Sequence, residues 1–203
     1  MVEHVILVGG IGLPWLRDLD FGTQWVKRQT ADNGSNDWPL GVVLEDLSYG
    51  AHRVLHTIQE MNPARIVLVG CMPRQIDPPG TIRHYRLNLD PPPVEEVHER
   101  ISEAVMGIVD LDHTLVVVRH WNAFPIDTVV VEVEPEDCQF GLGFSDTIEA
   151  TVAQVTALVQ QEVRRPAGSV SDAPMYTPPT SPMPLPTPVP NMSLFPSHPT
   201  EYP

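Results

Sequence analysis

The sequence predicts an α/β fold in three layers, a mostly parallel sheet with helices on both faces, over residues 1–165. Three observations point there. Short β-branched runs at Val5–Val8, Ile66–Val69 and Thr128–Val133 read as strands buried on both faces. Between them, apolar residues recur at helical spacing. Beyond Arg165 the composition changes abruptly, and more than half of the chain's 23 prolines fall in the last 38 residues. Residues 166–203 therefore read as a disordered proline-rich tail, in which Pro182–Pro190 favours polyproline II conformations.

The elements follow in order. Val5–Val8 ends in Gly9-Gly10-Ile11-Gly12, a strand entering a tight turn, and a helix is expected from about Asp20 through Val26. The polar stretch Thr30–Asp37 reads as a loop before a second strand at Gly41–Leu44, with Glu45 and Asp46 at its end. Val54, Leu55, Ile58 and Met61 mark a helix over residues 49–61 that Asn62-Pro63 stops. Ile66–Val69 is the third strand. Pro78-Pro79-Gly80 is a turn, and Thr81–Leu87 alternates as an edge strand does. Val94, Val97, Ile101, Val105 and Ile108 are spaced as a helix after Pro91-Pro92-Pro93. The segment 113–121 is ambiguous, since its β-branched run favours a strand while its position suggests a helix. Thr128–Val133 is a strand, and Ser145 caps a closing helix that runs to Val163 with Ile148, Val152, Val155 and Val159 inward.

The 26 acidic residues against 12 basic ones give a net charge of −14, which repels a phosphate backbone, so nucleic acid is excluded as a partner. No run approaches the roughly 20 apolar residues of a membrane helix, and the first residues carry no basic leader, so no membrane association and a cytoplasmic location are expected. Cys71 and Cys138 are too few and too far apart for a disulfide framework or a zinc cluster.

Several residues carry candidate chemistry. Gly10-Ile11-Gly12 suits a phosphate turn, but the third glycine of a dinucleotide fingerprint is replaced by Trp15. Asp18 and Asp20 lie near a helix N-terminus, where a carboxylate either caps the helix or faces the cleft at the carboxyl edge of the sheet. His113 adds an imidazole able to bind metal or move a proton, and His98 competes with it from a neighbouring helix. Cys71 follows the third strand, where a nucleophile of a small-molecule hydrolase would sit. Neither flank, Gly70 nor Met72, supplies an activating charge, which favours a buried structural thiol.

Taken together these blocks resemble the hydrogenase maturation protease family, the endopeptidases that trim the C-terminus of nickel-iron hydrogenase large subunits. The likeness runs from Ile6–Pro14 with Asp18 and Gly22, through Ile66–Val69 with Pro79-Gly80-Thr81, to Phe124-Pro125, Val129–Pro135 and Gly141–Ser145. The resemblance implies a peptidase acting on a hydrogenase large-subunit precursor. It implies no permanently bound cofactor, with nickel recognised on the substrate. It makes residues 113–121 helical. It also carries over three metal-contacting positions, which fall on Leu19, Gly70 and His113. Asp18, Asp20 and His113 are accordingly the expected catalytic residues and Asp20 with His113 the expected metal contacts, with Cys71 and His98 as weaker candidates. The alternative is a non-catalytic chaperone or docking protein for hydrogenase assembly that keeps the cleft and not the chemistry.

Overall fold

The structure is a computed structural model that describes residues 4–31 and 38–179. Its sheet is assembled from β1 (Ile6–Gly10), β2 (Val42–Asp46), β3 (Arg65–Cys71), β4 (Ile82–Leu87), β5 (Thr128–Val133) and β6 (Met175–Tyr176), in the order β2-β1-β3-β5-β4-β6. β1, β2, β3 and β5 run parallel, β4 lies antiparallel to β5, and β6 is parallel to β4. The expected three-layer α/β architecture is thus present.

β3 and β5 are central strands and every one of their residues is buried, which is why they read as continuous apolar runs. On one face, α2 (Ala51–Met61) and α4 (Leu111–His120) bring Val54, Ile58, Leu111 and Leu115 against Leu7, Ile66, Leu68 and Val130. Outside α4 lies α3 (Val94–Val105). On the other face, α1 (Phe21–Ala31), α5 (Asp146–Glu149) and α6 (Val152–Val163) pack Phe21, Trp25, Ile148, Val155 and Val159 onto Val8, Val67, Val69 and Val131. Burying each such side chain stabilises the fold by about 1.5–3 kcal/mol before entropy is charged against it.

One ambiguity is settled and three expectations change. First, residues 113–120 lie in α4, as the family resemblance implied; Leu111 through Arg119 are all buried and Asp110 caps the helix by accepting from the His113 N–H. A helix buried on every side shows no 3.6-residue contrast between core and solvent faces, so its periodicity could not speak. Second, the closing helix is two pieces that meet at Ala150-Thr151, where Thr151 turns both its N–H and its hydroxyl onto the Ile148 carbonyl. Third, Thr30 and Ala31 belong to α1 rather than to a loop, while 32–37 lie outside the described residues.

The fourth concerns the chain past Arg165, which is not structureless throughout. Arg65, buried in β3, donates to the carbonyls of Glu162, Pro166 and Ser169, and Ser171 is buried. Those bonds tie down 165–171 and deliver β6 to β4, which is therefore covered at Arg86 and Leu87 instead of forming the outer edge. The physical reason is a buried guanidinium that must find acceptors. Residues 180–203, including Pro182–Pro190, lie outside the described residues.

Candidate functional site

The strand order reverses direction at β1, whose neighbours β2 and β3 are reached by crossovers on opposite faces, and open α/β sheets bind ligands beyond the carboxyl ends at such a point. Glycines let the chain pack tightly here. A Cβ on Gly10 would lie 2.1 Å from the Gly22 carbonyl oxygen, and one on Gly22 would lie 2.3 Å from the oxygens of Ile11 and Val69. The glycine pattern of the first turn thus serves close β1–α1 packing and not a phosphate.

After β1 a 3-10 turn, Arg17–Asp20, precedes α1. Its two acids differ in kind. Asp18 is fully buried and its carboxylate accepts from the N–H groups of Glu136 (3.0 Å), Asp137 (2.7 Å) and Ser145 (2.7 Å) and from the Ser145 hydroxyl (2.9 Å). Every oxygen is spent on tying the first loop to the loop after β5. These bonds give the Asp18 carboxylate a structural role, joining the two loops. Asp20 is 6% exposed; its Oδ2 accepts from Gln24 Nε2 at 2.7 Å, while its Oδ1 has no partner. Burial raises its pKa, with nearby Asp46 adding to the effect and Gln24, Thr23 and Lys27 opposing it. Around it the hydroxyls of Thr23 and Ser48 lie 2.6 Å apart, and Ser48 Oγ accepts from the Gly12 N–H. A buried carboxyl with a free oxygen, among hydroxyls at a carboxyl edge, is equipped for proton transfer.

His113 is buried in the first turns of α4. One ring nitrogen, Nε2, accepts from the Ala51 N–H at 3.1 Å and the other, Nδ1, faces the Arg100 carbonyl at 3.0 Å. The ring therefore brackets α2, α3 and α4 as a neutral imidazole, and burial lowers its pKa. It shares no hydrogen-bond partner with Asp20. It also lines an apolar cavity of about 480 Å³ walled by Leu55, Ile101, Val105, Val117 and Trp121. His98 is exposed on α3 and joins none of these groups. Cys71 is buried at the end of β3, and burial, reinforced by Asp18, pushes its thiol well above the ordinary value, the reverse of a nucleophile's tuning.

The positions that the family resemblance assigns to metal contact do not fit one. Leu19 is buried and apolar, and a Cβ on Gly70 would already touch Leu111 at 3.1 Å and the Ile11 carbonyl at 3.2 Å. Among the described residues no group of three or more His, Cys, Asp and Glu side chains is arranged to hold a metal ion. Nor is any helix among them long and apolar enough to cross a membrane.

Sequence reasoning missed a charge cluster on the carboxyl side of β3 and β5. Arg74 spends Nε (3.1 Å) and Nη2 (2.9 Å) on the two oxygens of Glu132 and Nη1 on Asp112 (2.7 Å). Glu132 also accepts from the Tyr85 hydroxyl at 2.9 Å and from Arg83. Glu134 accepts from Arg83 and from the Gln75 N–H. The signal was present: a glutamate in a strand otherwise of valine and one threonine has to be paired if the strand is buried on both faces.

The fold is one shared with solved hydrogenase maturation endopeptidases. No family model and no curated protein matches the chain. Among solved structures, the hydrogenase maturating endopeptidase HybD from E. coli is similar over 79% of this chain and 92% of its own, with a TM-score of 0.59 and 19% identity. An endopeptidase solved in solution from Escherichia coli gives 0.60 and 20% over the same shares. The hydrogenase 2 maturation peptidase of a Thaumarchaeota archaeon gives 0.55 and 18%, over 79% of this chain and 98% of that one. At these identities the likeness establishes the fold.

Proposed function

We propose that this chain is a hydrogenase maturation endopeptidase that removes the C-terminal extension of a nickel-iron hydrogenase large-subunit precursor, in the cytoplasm. The observation that carries the reading is the endopeptidase fold, matched over nearly the full length of those structures. Asp20 is the residue assigned to the chemistry. Its carboxylate takes a proton from the water that attacks the scissile carbonyl and returns it to the departing amine. His113 positions α2, α3 and α4 around the apolar cavity in which side chains of the extension are held. Nickel belongs to the substrate; Leu19 and Gly70 offer it no donor, and no step of the hydrolysis is routed through it.

A specific observation favours a second reading, that of a docking protein which binds the precursor without cutting it: two of three expected contact positions are apolar and the third is a histidine whose ring nitrogens are both engaged. Incubation with nickel-loaded precursor, followed by mass spectrometry of its C-terminus, separates the two. Cleavage by the wild type, reduced by about 100-fold or more in Asp20→Asn, supports the peptidase. A bound precursor of unchanged mass supports docking. Full cleavage by Asp20→Asn removes Asp20 from the chemistry.

A further inference from the structure

Beyond α6 the chain returns to the sheet by a contact of unusual composition. The N–H groups of Arg86 and Asn88 donate to the carbonyls of Pro174 (2.9 Å) and Tyr176 (3.0 Å). The Tyr176 ring stands edge-on to Tyr85 at 5.1 Å. Three residues later, the Pro179 carbonyl accepts from Arg74 Nη1 at 2.7 Å, from the same nitrogen that holds Asp112. The other donors of this guanidinium face Glu132, and with Pro179 in place the side chain is 0% exposed.

The exchange is uneven. The sheet edge and Arg74 supply most of the donors, and in the two-residue parallel pairing the Tyr176 N–H is the one returned to β4. Pro174, Pro178 and Pro179 carry no N–H, so half of residues 174–179 have nothing to donate back. The pairing is two residues long and Met175 is 59% exposed, against the five or six residues of an ordinary strand. A segment held this way stays because it is tethered nearby. An extended polypeptide with ordinary amides would meet the same donors and return more N–H groups to β4, the mode by which sheet edges capture peptides.

We infer that the β4 edge together with Arg74 is a track for an extended polypeptide, that residues 174–179 fill it in cis, and that the incoming occupant is the C-terminal segment of the hydrogenase large-subunit precursor. The identity of that occupant rests on the function proposed above; the track itself does not. Residues 174–179 are then a built-in competitor that the substrate displaces.

Hydrogen exchange on the full chain and on Tyr176→Ala tests the track without any hydrogenase. In the wild type the Arg86 and Asn88 amides should exchange at least about 100-fold faster than those of Val129–Val131, through local release, and Tyr176→Ala should speed them a further tenfold or so while Val129–Val131 stay protected. Amides of Arg86 and Asn88 as slow as those of Val130 would make the strand permanent and overturn the inference. A synthetic peptide of residues 172–181, added to Tyr176→Ala, should restore protection at Arg86 and Asn88; no protection overturns the track. Nickel-loaded precursor should bind Tyr176→Ala about tenfold more tightly than wild type. Equal binding overturns the assigned occupant while leaving the proposed function standing. Binding by neither form overturns the proposed function and the occupant together, and the peptide result then decides the track.

Discussion

Arg74→Met strips the guanidinium that bridges Glu132 and Asp112, and its cost can be worked from the geometry. Arg74 and Glu132 side chains are fully enclosed and Asp112 is nearly so. Removing one partner of a buried pair leaves an uncompensated charge and costs about 3–5 kcal/mol. Glu132 keeps Tyr85 and Arg83, which pulls its share down, while Asp112 loses the ion pair it makes with Arg74, which pushes the total up. An overall loss of about 4 kcal/mol follows. With a urea slope of about 2 kcal/mol/M, the unfolding midpoint falls by about 2 M. Adding Glu132→Gln to the variant removes the buried carboxylate that has lost its main partner and should restore about 1–2 kcal/mol, a coupling visible only if the two groups interact directly. The assay is urea unfolding followed by circular dichroism for wild type, both single variants and the double. A midpoint shift under about 0.5 M for Arg74→Met, or strict additivity in the double, refutes the argument.

Three further outcomes follow from the structure. Gly22→Ala forces a methyl to within 2.3 Å of two backbone oxygens, so it should cost more than about 3 kcal/mol in the same unfolding assay. Burial, with Asp112 next, raises the Asp110 pKa to about 6, so the native state binds this proton more tightly than the unfolded chain. Its stabilising contribution is then complete below the ordinary carboxyl value and fades as pH rises through 6. Asp110→Asn, an equally good cap, should flatten that part of the Tm-against-pH curve measured between pH 4 and 7. Cys71 should resist iodoacetamide at neutral pH in the native protein and react on unfolding; rapid native labelling would reopen a nucleophilic role.

The fold was largely legible because β1, β3 and β5 are buried in parallel pairing and so declare themselves as unbroken apolar runs. α4 was legible only through family resemblance, since burial on all sides erased its periodicity. The site was less legible. Asp18 and Asp20 stand two residues apart on one turn and look alike in sequence, yet one is consumed by four hydrogen bonds and the other keeps a free oxygen. That difference is decided by Glu136, Asp137 and Ser145, more than a hundred residues away. Arg74 escaped notice for a similar reason: its partners come from β5 and α4, and nothing local to Met72–Gln75 announces them. The packed stretch after Arg165 was hidden by its prolines, because composition cannot report that Arg65 lies underneath needing acceptors.

The Asp18 knot also says something about the order in which the molecule assembles. The bonds it accepts span 118 to 127 residues of chain, so the closure entropy is met only after β5 has docked beside β3 and brought 136–145 within reach. The surroundings of Asp20 are therefore fixed by contacts between segments far apart in the chain, and a change in 136–145 is felt at the first loop.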